Sequence, residues 1–273
     1  MFFQSGPVQV ALGVSTAAAL LCGALGVFTL MRRQAFAGHA LADVASAGGA
    51  AGLLFGVPPF LGFLVCGVAG VGALEVLQAR RQAARDEAAG ILLGAGLGIT
   101  ALLLHLCLTH KGTNGAVQSV MFGAMFTLSP STVIWAWITA AGCLLLGGFI
   151  IRPLLLASLD PDLARVCAVP VRLLSLLFLG LLALGVTVAA MTVGAILATA
   201  LLVGPATTAL QWASSVRSAV LLSMALGVVA CWGGIMLAYW SYGWMPGHVW
   251  PVSFFIVALL LVMYLLSVGR RLR

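Results

Sequence analysis

The chain has 273 residues, of which 63% are hydrophobic and only 7% charged, and its mean hydropathy is +1.19. Soluble domains carry about 25% charged residues, so this composition excludes a soluble enzyme or binding module and fits an all-α integral membrane protein of about eight to ten spans. The net charge of +7 does not mark a nucleic-acid binder, because the basic residues stand in short groups between apolar runs, and those runs are too long and continuous for a β-barrel.

The apolar runs predict nine spanning helices at about 8–30, 39–56, 59–79, 88–108, 131–151, 173–190, 193–211, 218–241 and 250–268, in one transmembrane domain over residues 1–273. The first run has no basic segment ahead of it, and Arg32 and Arg33 follow it. That pattern reads as a retained helix with its N-terminus outside, not as a signal peptide.

The second span is rich in Ala, Gly and Ser, and sets His39 and Asp43 four residues apart, on one helix face. Ionisable groups in a membrane helix are costly and default to a pathway or a binding site. Small neighbours allow close packing or leave room for a pore. The pair reads either as metal ligands on a transport route or as a buried His–Asp contact that fixes packing.

The third span carries Glu75, and the fourth begins after Asp86 and Glu87 and ends among His105, Cys107 and His110. Residues 115–127 are apolar but short, which suits a partial or re-entrant helix at one surface. After the fifth span comes the longest polar connection, 157–172. There Asp160 and Pro161 form an N-cap and first-position pair, Asp162 adds favourable charge in the first turn, and Pro170 is a stop. The segment reads as a two-turn amphipathic helix with Leu163 and Val166 as apolar knobs, serving as an interfacial linker or as a docking surface for a cytoplasmic partner.

In the 193–211 span, Gly194, Ala198, Gly204 and the threonines permit tight helix packing, and Gly204 with Pro205 offers a hinge. Trp240, Trp244 and Trp250 fit an outer aromatic belt. His105, His110 and His248 fall near the same face, either as a receiving site for metal or as ordinary interfacial anchors. The six cysteines are scattered and form no C-x-x-C pair, so neither a thiolate zinc site nor a disulfide framework is indicated.

Charge decides the orientation. With the N-terminus outside, the inner segments 31–38, 80–87, 152–172, 212–217 and the C-terminal tail hold twelve of the thirteen basic residues, leaving Lys111 outside. Inverting the chain would put those twelve on the wrong face. The C-terminus and the 157–172 connection are therefore expected in the cytoplasm.

The run from Arg32 to Asp43 resembles the start of the second span in permease subunits of zinc/manganese ABC importers. The stretches from Asp86 to Ile91, Met121-Phe122-Gly123 with Ser129-Pro130-Ser131, Asp160 to Val171, and Leu202 to Ala209 are similar to further segments of that family, in the same order. The resemblance implies a homodimeric permease with a fold like that of the vitamin B12 and siderophore importers, less their first helix. It implies a cytoplasmic ABC ATPase on each subunit, docked on Asp160, Pro161, Leu163, Ala164, Arg165, Val166, Ala168 and Pro170, and an extracytoplasmic metal-binding protein that delivers substrate. Two-fold pairing would place one imidazole and one carboxylate from each copy around a shared channel.

Two departures stand out. The family usually has Gly-Asp-x-x-x-His where this chain has Gly38-His39-x-x-x-Asp43, so the ligands exchange depth by about one turn, ~6 Å. A helix N-terminus disfavours imidazolium, so His39 at such a position would stay neutral, the form a metal needs. The second departure is Ala168, where the family usually has Gly.

The expected function is a permease subunit in a bacterial inner membrane for ATP-driven import of a divalent metal, zinc first and manganese next, with no permanently bound cofactor. No G-x-x-x-x-G-K-[ST] loop is present, so ATP hydrolysis falls to a partner. The rivals are a permease of the same architecture for a metal chelate such as haem or a siderophore, and a proton-coupled secondary transporter working through Asp43 or Glu75.

Overall fold

The computed structural model describes residues 5–78, 85–112, 115–244 and 250–271, and every regular element among them is helical. In chain order they are α1 (Gly6–Met31), α2 (Ala35–Phe55), α3 (Pro59–Gln78), α4 (Arg85–Lys111), α5 (Ala116–Met121), α6 (Pro130–Leu159), α7 (Pro161–Val166), α8 (Val171–Val193), α9 (Ala195–Trp212), α10 (Val216–Trp244) and α11 (Val252–Arg271). The nine long helices are the nine apolar runs of the sequence, and α5 and α7 are the two short ones.

Eight of the long helices are long and apolar enough to cross a membrane. The ninth, α2, has 21 residues, about 31 Å of helix. It is less hydropathic because small and polar residues replace large apolar ones, and it is enclosed by protein instead of lipid. Together α1, α2 and α8 form the buried centre. α2 packs against α3, α4, α8 and α9, while α1 packs against α6, α8, α9 and α10, and α11 closes over α9 and α10. The outward faces of α3, α4, α6 and α10 are rich in exposed apolar side chains such as Val65, Ile99, Phe149 and Leu221. This is the inside-out pattern that a bilayer tolerates and water does not.

The structure corrects several boundaries. Helix α6 does not stop near residue 151: it carries Pro153 inside it and continues to Leu159. A proline removes one intrahelical donor, but Leu154 and Ala157 beyond it are buried and hold the last two turns in place. The polar connection therefore shrinks, and α7 has six residues instead of two full turns. Pro170 does not end α7, because it stands directly before α8 as its N-cap residue. The chain reverses at Ala168, whose φ is +54°. There the Val169 N–H donates to the Ala164 carbonyl at 3.0 Å, the 6→1 bond of a Schellman ending.

Residues 115–127 yield only α5, six residues and ~9 Å of helix, followed by a turn. That is too short to cross a membrane. Between α8 and α9 a single residue, Gly194, breaks the helix with φ +102°. A side chain there would also meet the Met121 carbonyl oxygen at 2.2 Å, so this break admits only glycine.

Candidate functional site

Helix α2 begins at Ala35, one turn before the expected start. His39 is thus in the second turn, and the argument that a helix N-terminus keeps it neutral loses its basis. The i, i+4 pairing itself is present: His39 Nε2 lies 3.8 Å from Asp43 Oδ2. That is too long for a hydrogen bond. It is close to the edge of a tetrahedral shell, roughly 3.4 Å for N and O ligands at ~2.0–2.1 Å from one cation.

The two side chains differ sharply in surroundings. His39 is 31% exposed and Asp43 only 1%. Neither carboxylate oxygen of Asp43 has a hydrogen-bond partner among the described residues. Its backbone carbonyl, by contrast, accepts from Ser46 Oγ at 2.7 Å and Thr100 Oγ1 at 3.4 Å, which ties α2 to α4 behind the site. Burying an uncompensated carboxylate is costly, and a cation between Asp43 and His39 would offset that cost.

His39 also lines a groove of about 640 Å³. Its walls come from α2, α9 and α11, and Phe36, Thr199, Gly204, Leu260 and Tyr264 are among the residues that line it with His39. Within that wall, His39 Nδ1 is 2.5 Å from Thr199 Oγ1. No local pattern signals this contact, because the partners stand 160 residues apart and Thr199 sits in a span that reads as ordinary small-residue packing. Among the described residues no third His, Cys, Asp or Glu joins the pair. Among the described residues the pair thus offers one nitrogen and one oxygen, donor types that suit zinc and manganese alike.

The remaining sequence-based sites fare differently. His105 and His110 are both exposed on α4. Five residues apart, they project from the helix roughly 140° from one another. Cys107 between them is buried, with Sγ 3.7 Å from the Ala50 carbonyl, so these side chains are not gathered into one site. His248 lies outside the described residues. Glu75 pairs with Arg172 Nε at 3.0 Å, so it is not a solitary membrane acid of the kind a proton route would use.

On α7, Asp160 Oδ1 accepts from the backbone N–H groups of Asp162 at 3.1 Å and Leu163 at 2.9 Å, the capping role that its position before Pro161 predicts. Leu163 and Val166 are exposed at 49% and 83%, while Ala164 is fully buried. The short helix thus turns two apolar side chains outward and anchors itself through its inner face. Pro161 and Arg165 belong to the same helix. In α9, Pro205 is buried within the helix, and Gly204 reaches the groove beside Leu260.

Residues 5–269 match the ABC 3 transport family. The chain is 29% identical over 235 residues to the manganese import system permease protein ScaB of Streptococcus parasanguinis, covering 85% of this chain and 81% of that protein. It is 28% identical over 231 residues to the manganese transport system membrane protein MntC of Halalkalibacterium halodurans, covering 84% and 77%. Among solved structures it is similar to PsaBC from Streptococcus pneumoniae in complex with Fab, with a TM-score of 0.83, 26% identity, and coverage of 97% of this chain and 91% of that one.

Proposed function

Because this chain belongs to the ABC 3 transport family, we propose that it is the membrane-spanning permease of an ATP-driven importer of a divalent transition metal. The observation that carries the reading is Asp43, buried, without a hydrogen-bond partner on either oxygen among the described residues, and 3.8 Å from His39 Nε2. The sequence placed zinc ahead of manganese. The names of the manganese relatives, with a donor set that suits either metal, support a reading with manganese first and zinc second.

Two copies would pair so that each adds one imidazole and one carboxylate to a shared site. A delivery protein would present the ion at the outer face. Partner ATPases would sit in the cytoplasm on α7, against Leu163 and Val166, and closing on ATP they would drive alternating access. The N-terminus would lie outside and the C-terminus in the cytoplasm of a bacterial inner membrane. The pathway acts through two donors per copy, so the shell stays weak enough to release its cargo.

The test is uptake into proteoliposomes that contain the permease, its ATPase and its delivery protein. Wild type, His39→Ala and Asp43→Ala are compared with manganese, zinc and iron. Loss of ATP-dependent uptake in both variants, with assembly intact, is the expected result and identifies the metal. Unchanged uptake would return the pair to a packing role and favour transport of a metal chelate.

A further inference from the structure

We propose that Thr199 is the positioning residue of the His39–Asp43 pair: its hydroxyl on α9 holds His39 by Nδ1 and keeps Nε2 as the metal-facing nitrogen. The inference rests on reading that pair as the metal site, and goes beyond it by naming what orients the imidazole.

Three observations carry it. The first is the direction of the hydroxyl. Thr207 and Thr208, on the same helix, donate back to the carbonyls of Val203 and Gly204 at 3.0 Å, as helical threonines commonly do. The hydrogen bond that Thr199 makes among the described residues instead crosses to α2, at 2.5 Å from His39 Nδ1. The second is the opposite end of the ring, where Nε2 stands 3.8 Å from Asp43 Oδ2. The third is the groove of about 640 Å³ that both His39 and Thr199 line, so their contact stands at the wall of an open space that reaches the imidazole.

The chemistry follows from the two nitrogens of imidazole. Which nitrogen is free to ligate is set by the hydrogen bond that the other makes. A threonine hydroxyl can accept from Nδ1–H as readily as it can donate. When it accepts, the ring proton is on Nδ1 and the Nε2 lone pair points to the space beside Asp43. Without the hydroxyl, nothing on the α9 side fixes either the tautomer or the rotation of the ring.

The contact also joins two helices. His39 and Asp43 ride on α2, while Thr199 rides on α9, one turn beyond the Gly194 break and ahead of Pro205. Displacing α9 by about 1 Å would carry the hydroxyl out of hydrogen-bond reach. The quality of the metal site therefore depends on where α9 stands against α2.

The experiment measures manganese and zinc binding to the permease–ATPase complex in nanodiscs for wild type, Thr199→Val, Thr199→Ser and His39→Ala. Nitrogen-15 NMR of histidine-labelled protein reports the tautomer in the metal-free complex, with the diamagnetic zinc-loaded complex as reference. The chain has four histidines, and the His39→Ala spectrum assigns the signal. Thr199→Val is expected to weaken binding by about 10- to 100-fold and to abolish the preference for a proton on Nδ1. Thr199→Ser is expected to keep binding within about threefold and to retain the tautomer.

The proposal is overturned if Thr199→Val leaves either affinity or tautomer unchanged, or if serine fails as valine does. His39→Ala separates the two levels. Loss of binding there with a neutral Thr199→Val removes only the positioning role, whereas unchanged binding in His39→Ala removes the metal site and this proposal together.

Discussion

Gly48 of α2 and Gly62 of α3 lie backbone to backbone: a side chain on Gly48 would stand 1.9 Å from the Gly62 carbonyl oxygen, and one on Gly62 would stand 2.0 Å from that of Gly48. Close backbone approach through small residues is how helices associate where no hydrophobic force drives them together. Here it also decides how tightly the helix carrying His39 and Asp43 is gripped.

Alanine at either position must push α2 and α3 apart, because the obstacle is main chain and cannot rotate away. Gly48→Ala and Gly62→Ala are each expected to destabilise the permease by at least ~3 kcal/mol, read as loss of monodisperse protein in detergent. Gly72→Ala on α3 is the control, since nothing lies within 4 Å of its added carbon. That variant should match or exceed wild type in thermal unfolding. Equal behaviour of all three variants would contradict the close packing.

Helix α7 offers two substitutions of opposite sign. Asp160→Ala removes the acceptor for two backbone N–H groups and should cost about 1 kcal/mol locally. Ala168→Gly relieves a left-handed residue at φ +54° and should gain about 1 kcal/mol. Hydrogen–deuterium exchange across 161–169 should be roughly fivefold faster in the first and fivefold slower in the second. No change in either would mean that the end geometry of α7 is not what holds it folded.

The sequence discloses much of this fold because nine runs of apolar residues with polar breaks leave little choice of element. What it hides is set by contacts at long range. The fifth apolar run ends near residue 151 and Pro170 reads locally as a helix stop, yet burial of Leu154 and Ala157 carries α6 on to Leu159, and Pro170 stands at the start of α8. The His39–Asp43 pair is legible because four residues on a helix is a local relation. The isolation of the Asp43 carboxylate and the grip of Thr199 are not, since each depends on helices distant in the chain. Ala168 was visible only as a departure from a family pattern, and its physical meaning came with its positive φ.

Arg32 fastens the end of α1 to two other helices. Its guanidinium donates to Ser158 Oγ at 3.2 Å and Ser175 Oγ at 2.6 Å, and lies 5.4 Å from the centre of the Phe178 ring. Ser158 is in the last turn of α6, just before the cap of α7, so this side chain joins the proposed docking region to the turn that leads into α2. Arg32→Lys keeps the positive charge but loses the planar fork. It should insert normally yet unfold at a lower temperature, with a loss of about 1–3 kcal/mol. A lysine variant as stable as wild type would show that charge alone matters at this position.

Asp43 should trade stability for binding. Its carboxylate is buried with no hydrogen-bond partner on either oxygen among the described residues, so the metal-free permease carries a cost that a cation removes. Asn is nearly the same size without the charge, and Asp43→Asn should stabilise the metal-free protein by about 1–3 kcal/mol. For a chain of this size that is a rise of at least about 2 °C in unfolding temperature. Wild type should recover the difference on adding metal, gaining ~2.7 kcal/mol at a hundredfold excess over Kd, while the variant should gain almost nothing. Thermal unfolding with and without manganese and zinc measures both halves. If Asp43→Asn melts below the metal-free wild type, the carboxylate has a stabilising partner in the folded permease and is not held ready for a cation.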